Sequence, residues 1–486
     1  MTRLEKANNY IKENIHKVNT RPLYHFTPEL GWLNDPNGFS YYKGKYHLFY
    51  QFYPYDIKWN DMHWGHATSN DLIKWEYEPV ALANDTIADA NGCFSGSAIE
   101  KDGKLYLMYT GNINPNMGYE PNWDEMIQHQ CLAVSEDGIN FLKHKNNPII
   151  SEFDLPKGYK RADFRDPKVI EKDGIYYVVL VAKNEQGRGE VLLYKSLDLI
   201  KWDYVSAIYQ TKFEENIMLE CPDLFTLDEK DILILSVMPC DPIYEKEIGN
   251  ITEYIVGTLN YSTGEYTIEH KDIIDYGNSF YAPQSMKNLE NKRIMIGWMK
   301  KWINKNLNPP EDLEWNGMMS IPREVKLKDK KLMQSPVASV KNYMSSKEKI
   351  NAPDLEKELI FDTKEKNIFN FSCSLNTVLE DTITFNLFKT KNKAIKIKIN
   401  LKNNTVIYTS DFDDMHEIYS INTKLLKENQ LILDVYIDKY SIELFINHGE
   451  KVFSFTSFSD DKGNEFSLSS EKKAVINHAE INHINV

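Results

Sequence analysis

Short runs of alternating apolar and polar residues fill this chain from about residue 39 onward, and they carry the period of strands rather than helices. Residues 39–50 read Phe-Ser-Tyr-Tyr-Lys-Gly-Lys-Tyr-His-Leu-Phe-Tyr, which is a strand, a Lys-Gly turn and a second strand. The pattern returns at residues 98–111 (AIEKDGKLYLMYTG) and 168–183 (KVIEKDGIYYVVLVAK), and in looser form at 224–237 and 286–299. Each copy is a hairpin signal, with a polar turn between β-branched and aromatic runs. A second element follows most of them: residues 66–75 (HATSNDLIKW), 132–141 (LAVSEDGINF), 193–202 (LYKSLDLIKW) and, more loosely, 257–266 (GTLNYSTGEY). The unit is therefore about four strands, recurring roughly every 55 to 70 residues, as expected of a β-propeller. Five hairpins predict five blades.

Polar clusters precede the hairpins at matched places. They are Asn34-Asp35-Pro36-Asn37-Gly38, Phe94-Ser95-Gly96-Ser97, Arg165-Asp166-Pro167, Glu220-Cys221-Pro222-Asp223 and Tyr281-Ala282-Pro283-Gln284. The first strand of a propeller blade usually lies innermost, so all five clusters are expected to meet around one channel. Beyond residue 350 the runs NIFNFSCSL, TITFNLFK, AIKIKINL, LILDVYIDKYSIELFI and KVFSFTSF alternate cleanly, which predicts facing antiparallel sheets in a β-sandwich. The expected division is an N-terminal helical segment over 1–20 (a polar helix through about His16), a propeller over 21–336, a partly helical linker over 337–357 and a sandwich over 358–486.

Composition narrows the partner. The sequence holds 57 Lys plus Arg against 71 Asp plus Glu, a net charge of −14, which disfavours nucleic acid and anionic membrane surfaces. A small neutral molecule fits more easily. The five cysteines (Cys93, Cys131, Cys221, Cys240, Cys373) are odd in number and have no zinc-type spacing, so a reduced, cytoplasmic setting is expected. The N-terminus lacks an apolar signal core and no run is long enough to span a bilayer. No metal or organic cofactor motif is present, and oligomeric state is left open.

Three carboxylates, Asp35, Asp166 and Glu220, stand in the convergent positions. Alone, each reads as a turn cap. Together, two of them suffice to hydrolyse a glycosidic bond, one as a protonated acid and one ionised. The motifs Trp32-Leu33-Asn34-Asp35-Pro36-Asn37-Gly38, Arg165-Asp166-Pro167 and Glu220-Cys221 resemble the three signatures of glycoside hydrolase family 32, which contains invertases, sucrose-6-phosphate hydrolases, inulinases and levanases. The resemblance runs from about Tyr24 to the end and implies a five-bladed propeller followed by a sandwich, in agreement with the pattern. It implies a retaining β-fructofuranosidase, with Asp35 as nucleophile, Glu220 as acid/base and Asp166 as the carboxylate that holds fructose hydroxyls. It further implies substrate contacts from Trp32, Leu33, Asn34, Gln51, Trp59, Phe94, Ser95 and Arg165. Sucrose or sucrose 6-phosphate is the expected substrate, exo-hydrolysis of short fructans the alternative, and a catalytically silent sugar-binding propeller the remote one.

Local surroundings add expectations. Glu220, between Leu219 and Cys221, is expected in an apolar setting, Asp35 is expected to stay ionised, and Arg165 is expected to keep Asp166 ionised. Trp64, His63 and His66 are expected in the core. Three departures from the family pattern, Asn60-Asp61-Met62, Ser279 and Met238-Pro239-Cys240-Asp241, are expected near the pocket rim.

Overall fold

The computed structural model describes residues 1–486 except 117–121, 213–215, 241–248, 289, 305–306, 351–353, 356–357, 364–366 and 460. Five antiparallel sheets follow one another along the chain as blades I to V of a propeller. Their innermost strands are Gly31–Tyr42, Cys93–Lys101, Tyr159–Lys172, Ile217–Leu227 and Tyr281–Lys287. In every blade the sheet then runs outward in chain order. The five inner strands touch in the cyclic order I, II, III, IV, V and back to I, so they enclose one channel. Blade V reaches its outer pair, Arg323–Lys328 and Lys331–Pro336, only after a long connection. Part of that connection, Trp315–Asn316, pairs in parallel with Gly31 and Trp32 of blade I and ties the last blade to the first.

The repeated second element has a physical basis. In blades I, II and III a serine hydroxyl (Ser69, Ser135, Ser196) accepts the backbone N–H three residues on, at Leu72, Gly138 and Leu199. The aspartate two residues after each serine accepts the next two N–H groups. The turn puts residues 72, 138 and 199 at φ 71°, 84° and 72°, a left-handed conformation that glycine adopts freely and leucine only under such constraint.

Each inner strand also slips register at its polar cluster: between Leu33 and Pro36, Phe94 and Gly96, Arg165 and Lys168, Glu220 and Asp223, and Tyr281 and Gln284. Four of these bulges contain a proline (Pro36, Pro167, Pro222, Pro283), which has no N–H to give the ladder and so favours such a break. A bulge bends its strand and re-aims the side chains beside it. Three bulge residues sit at positive φ, Asp166 at 63°, Cys221 at 47° and Ala282 at 49°.

The C-terminal part is a sandwich of two sheets. One contains Met344–Lys349, Asp354–Leu355, Phe369–Asn376, Gln430–Ile437, Ser441–Ile446, Lys451–Thr456 and Ala474–Ile484. The other contains Leu359–Asp362, Thr382–Lys389, Ile395–Asn400, Thr405–Ser410, Met415–Ser420 and Glu465–Ser470. Their facing apolar residues, among them Phe371, Phe385, Tyr408, Phe455 and Phe466, form its core. The stretch read as a linker contributes strands of its own: Met344–Lys349 pairs with the long strand Ala474–Ile484, after a short 3-10 helix at Ala338–Tyr343. Residues 351–353 and 356–357 of that stretch lie outside the described residues. The N-terminal helix is Arg3–Asn14, closed by a Thr2–Glu5 capping box.

Sandwich and propeller share buried charge. His25, on the entry to blade I, meets Asp438 through Nδ1 at 3.0 Å and Glu443 through Nε2 at 2.9 Å. Arg323 of blade V pairs with Glu443 and, at 2.9 Å, with Asp275. All five side chains are buried. Around them one apolar cluster joins Tyr436, Phe445 and Val452 of the sandwich to Trp32, Tyr281 and Trp298 of the propeller.

Candidate active site

The bulges of blades I, III and IV aim Asp35, Asp166 and Glu220 into one cavity of about 540 Å³ at the channel mouth. Residues 185 positions apart thus become neighbours (220 − 35). Ser95 of blade II donates its hydroxyl to Asp35 Oδ2 at 2.6 Å, and the Cys221 thiol lies 3.4 Å from the same oxygen. Asp35 Oδ1 is buried and accepts no hydrogen bond. The Cys221 backbone N–H, turned by its positive φ, donates to Asp166 Oδ2 at 2.9 Å. Arg165 Nη2 donates to Glu220 Oε1 at 3.0 Å, its Nε lies 3.8 Å from Asp166, and its Nη1 reaches Asp163 at 3.3 Å. Tyr281 of blade V donates to Glu220 Oε2 at 2.8 Å. All five blades therefore contribute a group to one connected cluster.

The surroundings correct the expectations for Asp166 and Glu220 and bear on that for Asp35. Burial raises the Asp35 carboxyl, the Glu220 charge raises it further, and Ser95, Asn34 and Cys221 pull it only partly back. Burial also raises Asp166, to about 7. Arg165 opposes that shift but does not overcome it, because Glu220 and Asp35 push the same way as burial. Glu220 is not in an apolar setting: although Leu219 and Cys221 flank it in sequence, its oxygens are occupied by a guanidinium and a phenol.

Of the expected substrate contacts, Asn34, Gln51, Trp59, Phe94, Ser95 and Arg165 line the cavity. Trp32 and Leu33 do not. Trp32 is buried behind Asn34, donating Nε1 to its side-chain oxygen at 2.8 Å, and stacks on Trp302 with rings 6.1 Å apart. Leu33 is fully buried in the apolar core, since alternation along the strand turns it away from the channel. Sequence reasoning missed Trp123, Asp124, Gln128, Asp163, Lys183 and Trp302, which also line the cavity. Asp163 carried a signal, two residues before Arg165 on the same strand face, and it pairs with Lys183 at 2.9 Å. Trp64 is fully buried and donates to the Phe94 carbonyl. His63 and His66 are buried as expected, and burial lowers the pKa of both.

The departures from the family pattern separate. Met238 and Cys240 line the cavity, and Asp241 lies outside the described residues. Asn60, Asp61 and Met62 are not in its wall, although Trp59 is. Ser279 is fully buried at the sandwich interface, where its hydroxyl meets Asn278 and Thr456 at 2.8 Å, so it does not belong to the rim.

Comparison with known proteins agrees with this arrangement. A family model for the glycosyl hydrolases family 32 N-terminal domain matches residues 25–336, and one for the family's C-terminal region matches residues 330–486. The chain is 32% identical to a sucrose-6-phosphate hydrolase of Bacillus subtilis, over 94% of this chain and 93% of that protein. Its fold superposes on a β-fructofuranosidase of Bombyx mori with a TM-score of 0.83 at 31% identity, covering 99% and 98% of the two chains. A sucrose-6-phosphate hydrolase from Lactobacillus gasseri superposes with a TM-score of 0.84 at 25% identity, covering 100% and 99%. Among the described residues no helix is long and apolar enough to cross a membrane.

Proposed function

The chain belongs to glycosyl hydrolases family 32 and is a glycoside hydrolase, and from that premise we propose that it is a retaining β-fructofuranosidase that releases fructose from sucrose or sucrose 6-phosphate. The observation that carries this reading is the meeting of three carboxylates from three blades in one cavity, beside an arginine and a row of aromatic side chains. Asp35 attacks the anomeric carbon of the fructosyl unit, with Oδ1 free of hydrogen bonds for the purpose. As that bond forms, the bond to the leaving oxygen breaks and Glu220 gives that oxygen its proton. A water then gives a proton to Glu220 and its hydroxyl to the anomeric carbon, which frees Asp35. Asp166 takes fructose hydroxyls and steadies the positive charge that develops on the ring, while Arg165 spans Asp166 and Glu220. The Glu220 charge reaches Asp35 and raises its carboxyl, and a retaining mechanism calls for a separation of about 5 Å between two such carboxyl groups. The five cysteines form no disulfide, which supports a cytoplasmic setting.

Initial rates on sucrose, sucrose 6-phosphate, short fructo-oligosaccharides and inulin test the substrate. NMR of the first fructose released, together with mass spectrometry for an ester on Asp35, tests the chemistry. Retained configuration, an adduct on Asp35 and no turnover by Asp35→Ala are expected. An inverted first product overturns the mechanism, and faster turnover of short fructans than of either sucrose form moves the reading to an exo-fructanase.

A further inference from the structure

Blade V supplies no carboxylate to the cluster, yet its inner strand carries the same bulge as the others. There the register slips between Tyr281 and Gln284, Ala282 takes φ 49°, and the Ala282 N–H donates to Ser236 Oγ of blade IV at 2.9 Å. Gln284 reaches blades II and I, donating to the Gly96 carbonyl at 2.6 Å and accepting from the Phe39 N–H at 3.2 Å. The strand is thus fixed just past one residue, Tyr281, whose ring is buried and whose hydroxyl ends 2.8 Å from Glu220 Oε2.

From this geometry we infer that Tyr281 is a positioning residue for Glu220, holding its Oε2 while the carboxyl passes between its protonated and ionised forms. The inference rests on the reading of Glu220 as acid/base. The two partners of Glu220 are not equivalent. Arg165 can only donate, whereas a phenol both donates and accepts. When Oε2 is ionised Tyr281 donates a hydrogen bond to it, and when Oε2 is protonated the phenol oxygen accepts its O–H hydrogen bond until the leaving oxygen takes the proton, so the side chain keeps one orientation through both halves of the reaction. As donor, Tyr281 also favours the ionised form that Glu220 reaches when it protonates the leaving oxygen. Burial and the adjacent Glu220 charge raise the phenol's own pKa well above its ordinary value, so it stays neutral through the working range.

The groups that face Glu220 are Arg165 and Asp166 of blade III, Asp35 of blade I, Cys221 beside it, Cys240 just past the end of the next strand and Tyr281. Tyr281→Phe removes one hydrogen bond from this set and leaves the ring. A hydrogen bond to a charged group is worth roughly ten- to a hundredfold in rate where the charge forms in the transition state. Tyr281→Phe is therefore expected to lower kcat on sucrose by about that factor while KM stays within about twofold. The basic limb of the kcat/KM profile is expected to move to higher pH by about one unit, because the ionised form loses a donor. On p-nitrophenyl β-fructofuranoside, whose leaving group needs little protonation, the loss is expected to shrink to about threefold or less.

Glu220→Gln, measured alongside, separates the two readings. If Glu220→Gln fails to penalise sucrose more than the aryl fructoside, the acid/base reading falls and this inference with it. If Glu220→Gln does penalise sucrose, but Tyr281→Phe slows both substrates equally and leaves the basic limb in place, Tyr281 only fills space and the inference alone is overturned. The double variant provides a further check. Once Glu220 is Gln, adding Tyr281→Phe is expected to change the rate by less than about twofold, because the group it positions no longer transfers a proton. An undiminished further loss overturns the inference as well.

Discussion

Ser95 donates to Asp35 Oδ2 at 2.6 Å and partly offsets the burial that pushes the Asp35 carboxyl upward. In the proposed mechanism Asp35 attacks only as a carboxylate, so kcat/KM is expected to fall as pH drops through its pKa, and that fall is the acidic limb. Ser95→Ala removes a donor to the ionised form, and the limb is expected to move to higher pH by about one unit. The pH profile of kcat/KM on sucrose checks this. Ser95 makes no bond to Asp166, whose carboxyl sits at about 7. A limb that stays in place in Ser95→Ala therefore belongs to Asp166 or to the pair, not to Asp35. At this scale the sequence showed the three carboxylates because each stands in a turn motif at a matched place in a repeat. It placed Tyr281 in the fifth convergent cluster but gave it no role, because that role depends on where a bulge points its ring. Lys183 and Trp123 were missed because their residue types carry no signal until folding gathers them.

The bulge is the element that converts a repeat into a site, and its cost is local. A residue with a Cβ at positive φ is strained by about 1–2 kcal/mol, and Ala282 holds such a place at 49° because Ser236 and the following proline hold it there. Ala282→Gly is expected to change stability by less than about 1 kcal/mol, since relief of strain and added freedom of the unfolded chain nearly cancel. Ala282→Val is expected to cost about 2 kcal/mol or more, because a branched side chain fits neither the backbone nor this fully buried position. Activity is expected to survive in the glycine variant and fall in the valine variant as Tyr281 turns from Glu220. Urea unfolding and sucrose turnover on both variants check this pair of outcomes. Equal activity in the two would mean that the bulge does not orient the site. Hairpins were legible in the sequence because each is local, but two kinds of element were not. The outer strands of blade V stand beyond a connection of more than twenty residues, and a piece of it leaves to pair with blade I. Met344–Lys349 reads Met-Ser-Ser-Lys-Glu-Lys, with no alternation to announce a strand, and becomes one by pairing with Ala474–Ile484.

Across the whole molecule the site rests against the sandwich, which among the described residues supplies no group to the cavity yet closes the apolar cluster beneath it. Trp32, which orients Asn34, and Trp298, which packs on Trp32, share that cluster with Phe445 and Val452 of the sandwich. The charges buried at this interface give it a pH dependence. Burial pulls the His25 pKa down, but the hydrogen bonds that the ring donates to Asp438 and Glu443 overcome it and raise the ring to about 9. The ordinary value is 6.5, so protonated His25 contributes stability fully below about 6.5, and that contribution is lost as pH rises through about 9. Asp438 and Glu443 shift the opposite way. Each meets the penalty of burial, yet the His25 ring holds Asp438 low, and Arg323 and then His25 hold Glu443 low. Their contribution is present above the ordinary carboxylate range and is lost as pH falls through their lowered values. The interface is therefore strongest between about pH 5 and 6.5, and the alkaline side is set by one histidine. Moving from 6.5 to about 9 corresponds to roughly 3 kcal/mol. His25→Gln, which keeps a polar side chain but cannot take a proton, is expected to lie furthest below the unaltered protein in urea stability near pH 6. The gap is expected to narrow by about 2–3 kcal/mol by pH 10. Because one apolar cluster spans both parts, tryptophan fluorescence and sucrose turnover are expected to be lost in the same transition at each pH. A gap that stays constant from pH 6 to 10 would mean that His25 does not change charge there, and turnover lost well before the fluorescence transition would mean that the cavity does not lean on the sandwich.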